Sequence, residues 1–325
     1  MPTPTPILLT GTTGGLGAKI LSSLLHTHHI PPNSIIATSR TASNRSRYES
    51  QNLQFRVADY NRRATLDEAF ANVENLLFMS SSERDNEKRN AEHANVIEAA
   101  KKAGVGRVWY VSLAFGSLGD GSKIGFQQAH YWTEDQLKFS GLNFISLRAG
   151  SYSDAFPLVL NWYPSTRTVL MPNLNPPVTE SKVAFASRDE LGEAMATLLV
   201  RGLEALPSVQ PRTEKNIILL TGPKAESIVD LVGAINRGRR TDVGVEYLEP
   251  EEWIEASAKD DEGGKGRAWF EARLVFVQGL CDGDAELVDP ALETLLGRRP
   301  ESGTETVERL VSEKPGYTWH QNHAR

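Results

Sequence analysis

Three glycines near the start of the chain could act through the backbone. Residues 7–20 read Ile-Leu-Leu-Thr-Gly-Thr-Thr-Gly-Gly-Leu-Gly-Ala-Lys-Ile, so Gly11, Gly14 and Gly17 form G-x-x-G-x-x-G directly after an apolar run. Glycine spacing alone is weak evidence. A preceding strand, a following helix and a second strand some way on supply the context that such a loop needs. The turn lets the backbone approach a diphosphate and aims the helix's first amides and its dipole at the anion. Gly11, Thr12, Thr13, Gly14, Gly15, Leu16 and Gly17 are therefore expected to cradle a dinucleotide.

The second strand indicates which one. It ends Ala37-Thr38-Ser39-Arg40, with Arg45 and Arg47 beyond and no acid where a ribose-binding carboxylate would stand. A carboxylate would repel a 2′-phosphate, whereas a guanidinium forks onto it. The expected cofactor is NADP(H), with Arg40 at the 2′-phosphate. The plainer alternative for Arg40 is a solvated surface cation.

The elements that must hold these residues follow from periodicity. Strands are expected near 6–10, 34–39, 53–58, 75–80, 107–112 and 143–148, and helices near 15–27, 62–71, 86–103 and 126–140. Several strands are unbroken apolar runs, as in a parallel sheet covered on both faces. Their alternation with helices gives a Rossmann-type, doubly wound α/β fold. Gly104 and Gly141 read as helix ends. Beyond residue 150 the pattern loosens. Residues 151–182 read as an irregular segment over the sheet edge, two strands follow near 216–221 and 243–247, and 261–266 reads as a flexible loop. The expected division is an NADP-binding domain at 1–150 and a smaller, partly interleaved α/β substrate region at 151–325.

Composition narrows the function classes. With 325 residues, 40% hydrophobic and 23% charged, the chain can bury a sizeable core. No apolar run approaches the ~20 residues that span a bilayer, and Met1 to Pro6 lacks a secretory pattern. Cys281 is the single cysteine, which leaves no intrachain disulfide. A cytoplasmic protein is expected. Net charge is −6, and residues 241–325 hold 19 acids against 9 Lys and Arg, a poor surface for nucleic acid. The rest of the chain is +4, which suits a small anion. His26-Thr27-His28-His29 lacks Cys or carboxylates at ligand spacing, so no metal site is expected.

The glycine loop, Thr38-Ser39-Arg40, Val57-Ala58-Asp59-Tyr60, Leu77-Phe78-Met79-Ser80-Ser81-Ser82, Val111-Ser112-Leu113 and His130-x-x-Thr133-Glu134-x-x-Leu137-x-x-Ser140-Gly141-Leu142 together resemble the NmrA-like family. This is an atypical branch of the short-chain dehydrogenases/reductases, and the chain is most like its type-2 quinone oxidoreductase members. The likeness is densest over 6–156 and weaker at Leu219-Leu220-Thr221-Gly222 and Leu296-Gly297-Arg298-Arg299-Pro300. It implies that Asp59 and Tyr60 flank the adenine and that Ser80, Ser81 and Ser82 lie beneath ribose and nicotinamide. It puts Ser112 at the superfamily's catalytic hydroxyl position, with Leu113, Arg148, Tyr152 and Phe156 bordering the substrate cleft.

One departure bears on catalysis. Ordinary members use a Tyr-x-x-x-Lys pair, in which the tyrosine gives a proton to the substrate oxygen. Counting back from Ser140-Gly141, the lysine position falls on His130 and the tyrosine position on Phe126, which has no proton to give. His130 is the expected polar group at the nicotinamide, as ribose ligand or general acid. A structural histidine is the alternative. The expected function is an NADPH-dependent oxidoreductase passing hydride to a quinone, enone or aromatic ketone, of polyketide type included. Two alternatives stay open: an NADP(H)-binding redox sensor, and a redox-neutral isomerase or ring-opening enzyme. The expected partners are a small aromatic substrate, no nucleic acid, no membrane, and either a second copy of the chain or a regulatory protein. Trp162, Trp253, Trp269, Phe270 and Phe276 are candidates for a flat pocket, with core packing the default.

Overall fold

A computed structural model describes residues 6–207, 213–259 and 261–320. The first part alternates regularly: β1 (Ile7–Leu9), α1 (Gly15–His26), β2 (Ile35–Ser39), α2 (Arg45–Glu49), β3 (Gln54–Val57), α3 (Arg63–Ala69), β4 (Asn75–Met79), α4 (Asn86–Ala103), β5 (Arg107–Leu113), α5 (Gly125–Ser140) and β6 (Phe144–Ala149). There follow α6 (Phe156–Leu160), β7 (Thr168–Pro172), β8 (Lys182–Val183), α7 (Arg188–Arg201), β9 (Ile217–Leu220), β10 (Glu226–Ser227) and α8 (Ile228–Arg239). The chain continues through β11 (Gly244–Leu248), α9 (Pro250–Ala258), α10 (Arg267–Cys281), α11 (Ala291–Leu296) and α12 (Gly303–Glu313).

Seven strands form one sheet in the order β3-β2-β1-β4-β5-β6-β9, and every pairing in it is parallel. This is the doubly wound fold that the alternation predicts. Ile7, Leu9, Leu77, Trp109, Val111 and Leu147 face a core shared with Leu16 and Ile20 of α1 and Leu191 and Leu198 of α7. Leu8, Leu76, Phe78, Val108 and Tyr110 face the other way, onto α3, α4 and α5. Burial on both faces explains why these strands read as unbroken apolar runs.

The chain order reverses between β1 and β4, and the carboxyl ends of those strands open a crevice. The glycine loop, the end of β2 and the segment after β4 all meet this edge. The loop is over-determined. Gly11 has φ +69°, and a Cβ on Gly17 would lie 2.2 Å from the Gly11 carbonyl oxygen. Thr12 Oγ1 donates to the Thr38 carbonyl at 2.8 Å, and Thr38 Oγ1 donates to the Leu9 carbonyl at 3.0 Å. The tips of β1 and β2 are thus tied together by side chains.

Residues beyond 150 build a second core. Phe156, Trp162, Val169, Phe185, Leu231, Val277 and Val307 belong to it, with β7 paired in parallel to β11. The 151–182 segment, expected to be irregular, contains α6 and β7 within that packing. The expected flexible loop at 261–266 is packed as well. The side chains of Asp261 and Lys265 are 1% and 2% exposed and lie 3.4 Å apart. Their charges satisfy each other beside Tyr163, which a run of Asp, Glu, Gly and Lys does not announce. Helix α7, absent from the expected elements, lies against α1, and β9 and α11 also join the first core.

Candidate functional site

The crevice presents backbone amides that could hold an anion. Thr13, Gly14 and Gly15 are exposed, whereas Leu16 and Gly17 are buried. Helix α1 begins at Gly15, no side chain caps it and its first turn holds no acid. Its leading amides therefore lack intrahelical partners and face the opening with the positive end of the dipole. Arg40 is exposed just past β2 and makes no ion pair or hydrogen bond with a described residue. An uncapped helix start plus an uncommitted guanidinium fits a diphosphate and a 2′-phosphate.

The segment after β4 is held from below. His93 of α4 is fully buried, and its Nε2 accepts from the Ser81 amide at 2.9 Å. Nδ1 must then carry the proton, and it donates to Thr133 Oγ1 at 2.7 Å, which donates to the Ala129 carbonyl at 2.7 Å. Burial, with the Arg89 charge adding, holds His93 neutral, pushed down to about 3. Ser80 Oγ lies 3.4 Å from the same ring nitrogen, and the Ser81 hydroxyl turns back to Glu92. Ser82 alone of the three is exposed.

Asp59 and Tyr60 fall beside the mouth with different duties. Asp59 Oδ1 accepts from the Asn61 amide at 3.1 Å. The Tyr60 hydroxyl lies 2.7 Å from Thr10 Oγ1 and 2.9 Å from the Met79 carbonyl oxygen, tying β3 to β1 and β4. Burial raises its pKa far above the usual phenol range. The hydroxyl of Tyr60 is committed to the scaffold, so its ring is what remains to meet a ligand.

At the end of β5, Ser112 is fully buried and its Oγ has no hydrogen-bond partner. Gln127 at the start of α5 donates to the Leu113 carbonyl at 3.2 Å, and its own Oε1 is buried and unpartnered. Orphaned buried polar atoms call for a further partner. His130 lies deeper on α5. It is 4% exposed, with Nδ1 2.8 Å from the Tyr110 hydroxyl, and Nε2 makes no hydrogen bond to a described residue. Burial first, then the charges of Arg89, His93 and Arg148, lower its pKa well below the ordinary imidazole value. A lowered pKa disfavours the protonated form that the general-acid alternative needs.

Phe126 occupies the expected proton-donor position. Its ring meets Phe115 edge-on at 5.4 Å and Phe276 at 6.1 Å, and Phe115 and Phe276 meet at 5.7 Å. Phe126, Phe276 and Leu113 are all partly exposed. Tyr131 is no substitute donor, because its hydroxyl donates to the Phe115 carbonyl at 2.7 Å.

Two expected substrate residues are corrected by their packing. Arg148 is fully buried. Its Nε donates to Glu134 at 3.0 Å, Nη1 donates to the Ser117 and Gly119 carbonyls at 2.8 and 2.7 Å, and Nη2 pairs with Glu134 and Asp120 at 2.5 and 2.9 Å. Every nitrogen is used to pin the loop after β5 onto α5. Phe156 is 0% exposed, stacked on Tyr317 at 5.7 Å and tilted on Trp162 at 5.4 Å, so it lines no cleft. Tyr152 is partly exposed, pairs backbone to backbone with Ala186, and its ring centre lies 5.9 Å from the central guanidinium carbon of Arg188 at the start of α7. Burial pushes its phenol up to about 12. Trp162, Trp253 and Phe270 are core, while Trp269 and Phe276 are not fully covered.

Two positions with no reading from the sequence matter here. His93 had a signal: with Val96, Ile97 and Ala100 it continues the buried stripe of α4 at three- and four-residue spacing. Arg188 had none, since only the fold brings the start of α7 over Gly15.

The fold and this site define an NAD(P)H-binding protein of Rossmann type. Comparison agrees: a family model described as NAD(P)H-binding matches residues 11–201. An NmrA-like family domain-containing oxidoreductase of Aspergillus flavus is 39% identical over 320 residues, covering 98% of this chain and 99% of that one. Quinone oxidoreductase 2 of Escherichia coli is 39% identical over 150 residues, covering 46% of this chain and 50% of its own. Among solved structures, the Citrobacter sp. triphenylmethane reductase complexed with NADP(H) superposes with a TM-score of 0.78 at 26% identity, over 93% of this chain and 99% of that one. The E. coli NADPH-dependent quinone oxidoreductase complexed with NADPH gives 0.78 and 26%, over 94% and 99%. The chain belongs to the NmrA-like family of NAD(P)H-binding oxidoreductases. Among the described residues no helix is long and apolar enough to cross a membrane.

Proposed function

We propose that this protein is an NADPH-dependent reductase of flat, conjugated electrophiles of the quinone class. The observation that carries this reading is the phenyl ring of Phe126, packed with Phe115 and Phe276, at the position where the family resemblance leads one to expect a tyrosine proton donor. Bound NADPH would supply a hydride, and the protein's part is placement. The amides from Thr13 to Leu16 would hold the diphosphate, and Arg40 the 2′-phosphate. The Ser112 hydroxyl and the Gln127 carboxamide oxygen would serve the nicotinamide end, where each now lacks a partner. The phenyl rings would exclude water and stack a planar acceptor. A quinone suits a site without an acid, because its reduced oxygens can take protons from solvent.

In this reading the cofactor half is residues 1–150 and the substrate half 151–325, the second lending β9, α7 and α11 to the first. The relatives named for quinone and triphenylmethane-dye reduction point to the same class of substrate. The test is loss of reduced-nicotinamide absorbance with a panel of para-quinones, aryl ketones and aliphatic ketones. Consumption with quinones and none with aliphatic ketones is the expected result. Tight NADPH binding without consumption on any acceptor would replace this reading with that of a sensor.

A further inference from the structure

The end of α7 nearest the mouth carries a cation where helix electrostatics disfavour one. Arg188 opens α7, and Asp189 and Glu190 complete a first turn that is otherwise acidic. The guanidinium does not simply reach for water. Its Nε donates to Asp154 Oδ2 at 2.6 Å and Nη2 pairs with the same oxygen at 2.5 Å. The Trp319 ring lies 4.1 Å from its central carbon. Nη1 makes no hydrogen bond to any described residue. It rests against Gly15, the first residue of α1, so closely that a Cβ there would lie 1.8 Å from it. Any side chain at position 15 would evict the guanidinium, so the second glycine of the Gly14-Gly15 pair is what admits it.

We propose that Arg188 is a ligand of the cofactor diphosphate, delivered across the mouth by α7 and held there by Asp154 and the C-terminal segment around Trp319. The inference rests on the reading of the mouth as a dinucleotide site. Two of the three guanidinium nitrogens are engaged, and the third stands at the positive end of α1, where two cationic features would repel unless an anion lies between them. The hold on Arg188 comes from the end of the chain. Tyr317 donates to the Asp154 carbonyl at 2.7 Å and stacks on Phe156, and Trp319 is 5% exposed. The last described residues therefore strap down the group that would meet the phosphates, and Trp319 reports on its position.

The experiment titrates the parent, R188Q, R188K and R40A with NADPH and with adenosine 2′-monophosphate by calorimetry. It also follows tryptophan emission of the parent, R188Q and W319F on adding NADP+. R188Q is expected to weaken NADPH about 10- to 100-fold, the range of one charge-assisted contact. R188K should weaken it less, and adenosine 2′-monophosphate, which has no diphosphate, should bind both as it binds the parent. R40A should instead lose the monophosphate. The emission change assigned to Trp319, the difference between parent and W319F, should vanish in R188Q. Equal NADPH affinity in the parent and R188Q overturns the proposal, as does an equal loss of both ligands. If R188Q does not fold, the R188K arm decides on the same terms. Failure of the parent itself to bind NADPH would remove the dinucleotide reading, a result distinct from either.

Discussion

Arg40 follows β2 without an ion pair among the described residues, so its charge is available to a ligand and its removal costs the fold little. Arg40→Ala should therefore weaken NADPH by about 1.5–3 kcal/mol, the value of a charge-assisted hydrogen bond, and leave NADH nearly unchanged. Parallel titrations with the two cofactors check this, and equal losses would show that Arg40 is only a surface cation. His130 is the opposite case. Burial and the nearby cations lower its pKa, which works against a role as a cationic acid near physiological pH. The kcat profile should keep its shape from about pH 6 to 8 when His130 becomes Gln. A limb that disappears in that variant would return the acid role to His130. Glycine spacing and the basic end of β2 were readable from residue types alone. The engagement of Arg148 and Phe156 was not, because Glu134, Asp120 and Tyr317 reach them only in the fold.

At the scale of elements, α4 matters to the mouth through one ring. His93 fixes the backbone after β4 as an acceptor, a duty that protonation would abolish. Its folded pKa lies near 3, below the ordinary 6.5 of an unfolded chain. As pH falls, the unfolded chain takes up the proton first. The contribution to stability is thus complete above about pH 6.5 and declines toward pH 3. From this histidine the loss by pH 5 is about 2 kcal/mol. Urea unfolding at pH 7 and pH 5 should show that loss in the parent and a smaller one in His93→Gln. A second prediction concerns the loop. With a Cβ only 2.2 Å from the Gly11 oxygen, Gly17→Ala must displace α1 from β1. The expected destabilisation is about 1–3 kcal/mol, with weaker NADPH binding, read by thermal unfolding and calorimetry. The strands through β6 and the helices between them, short α2 excepted, were legible because two-sided burial and glycine stops mark them locally. Helix α7 was missed although Ser187 caps it, Asp189 and Glu190 open it and Gly202 ends it; what the sequence could not show is that it packs on α1, far away in the chain.

For the whole molecule, the mouth is built from segments far apart in sequence. Gly15 comes from the first crossover, Arg188 from the helix beyond the sheet's sixth strand, and Trp319 from the last described turn. Loss of the tail should therefore be felt at the cofactor. A chain ending after Lys314 is expected to bind NADPH more weakly than the parent, with the Arg188→Gln variant insensitive to the same truncation. Calorimetry on the four proteins reads the coupling as a double-mutant cycle, and additive losses would mean that the tail acts elsewhere. The composition allowed a core but could not disclose this closure, which brings Gly15, Arg188 and Trp319 together.

The seventh strand has a practical corollary for anyone cloning this protein. β9 pairs with β6 after more than sixty intervening residues, and α7 covers α1 on the same face. A fragment designed to stop where the regular alternation ends would leave a raw sheet border and an uncovered apolar helix. Such a product should enter inclusion bodies rather than yield a minimal nucleotide-binding module, so expression boundaries belong outside the last strand.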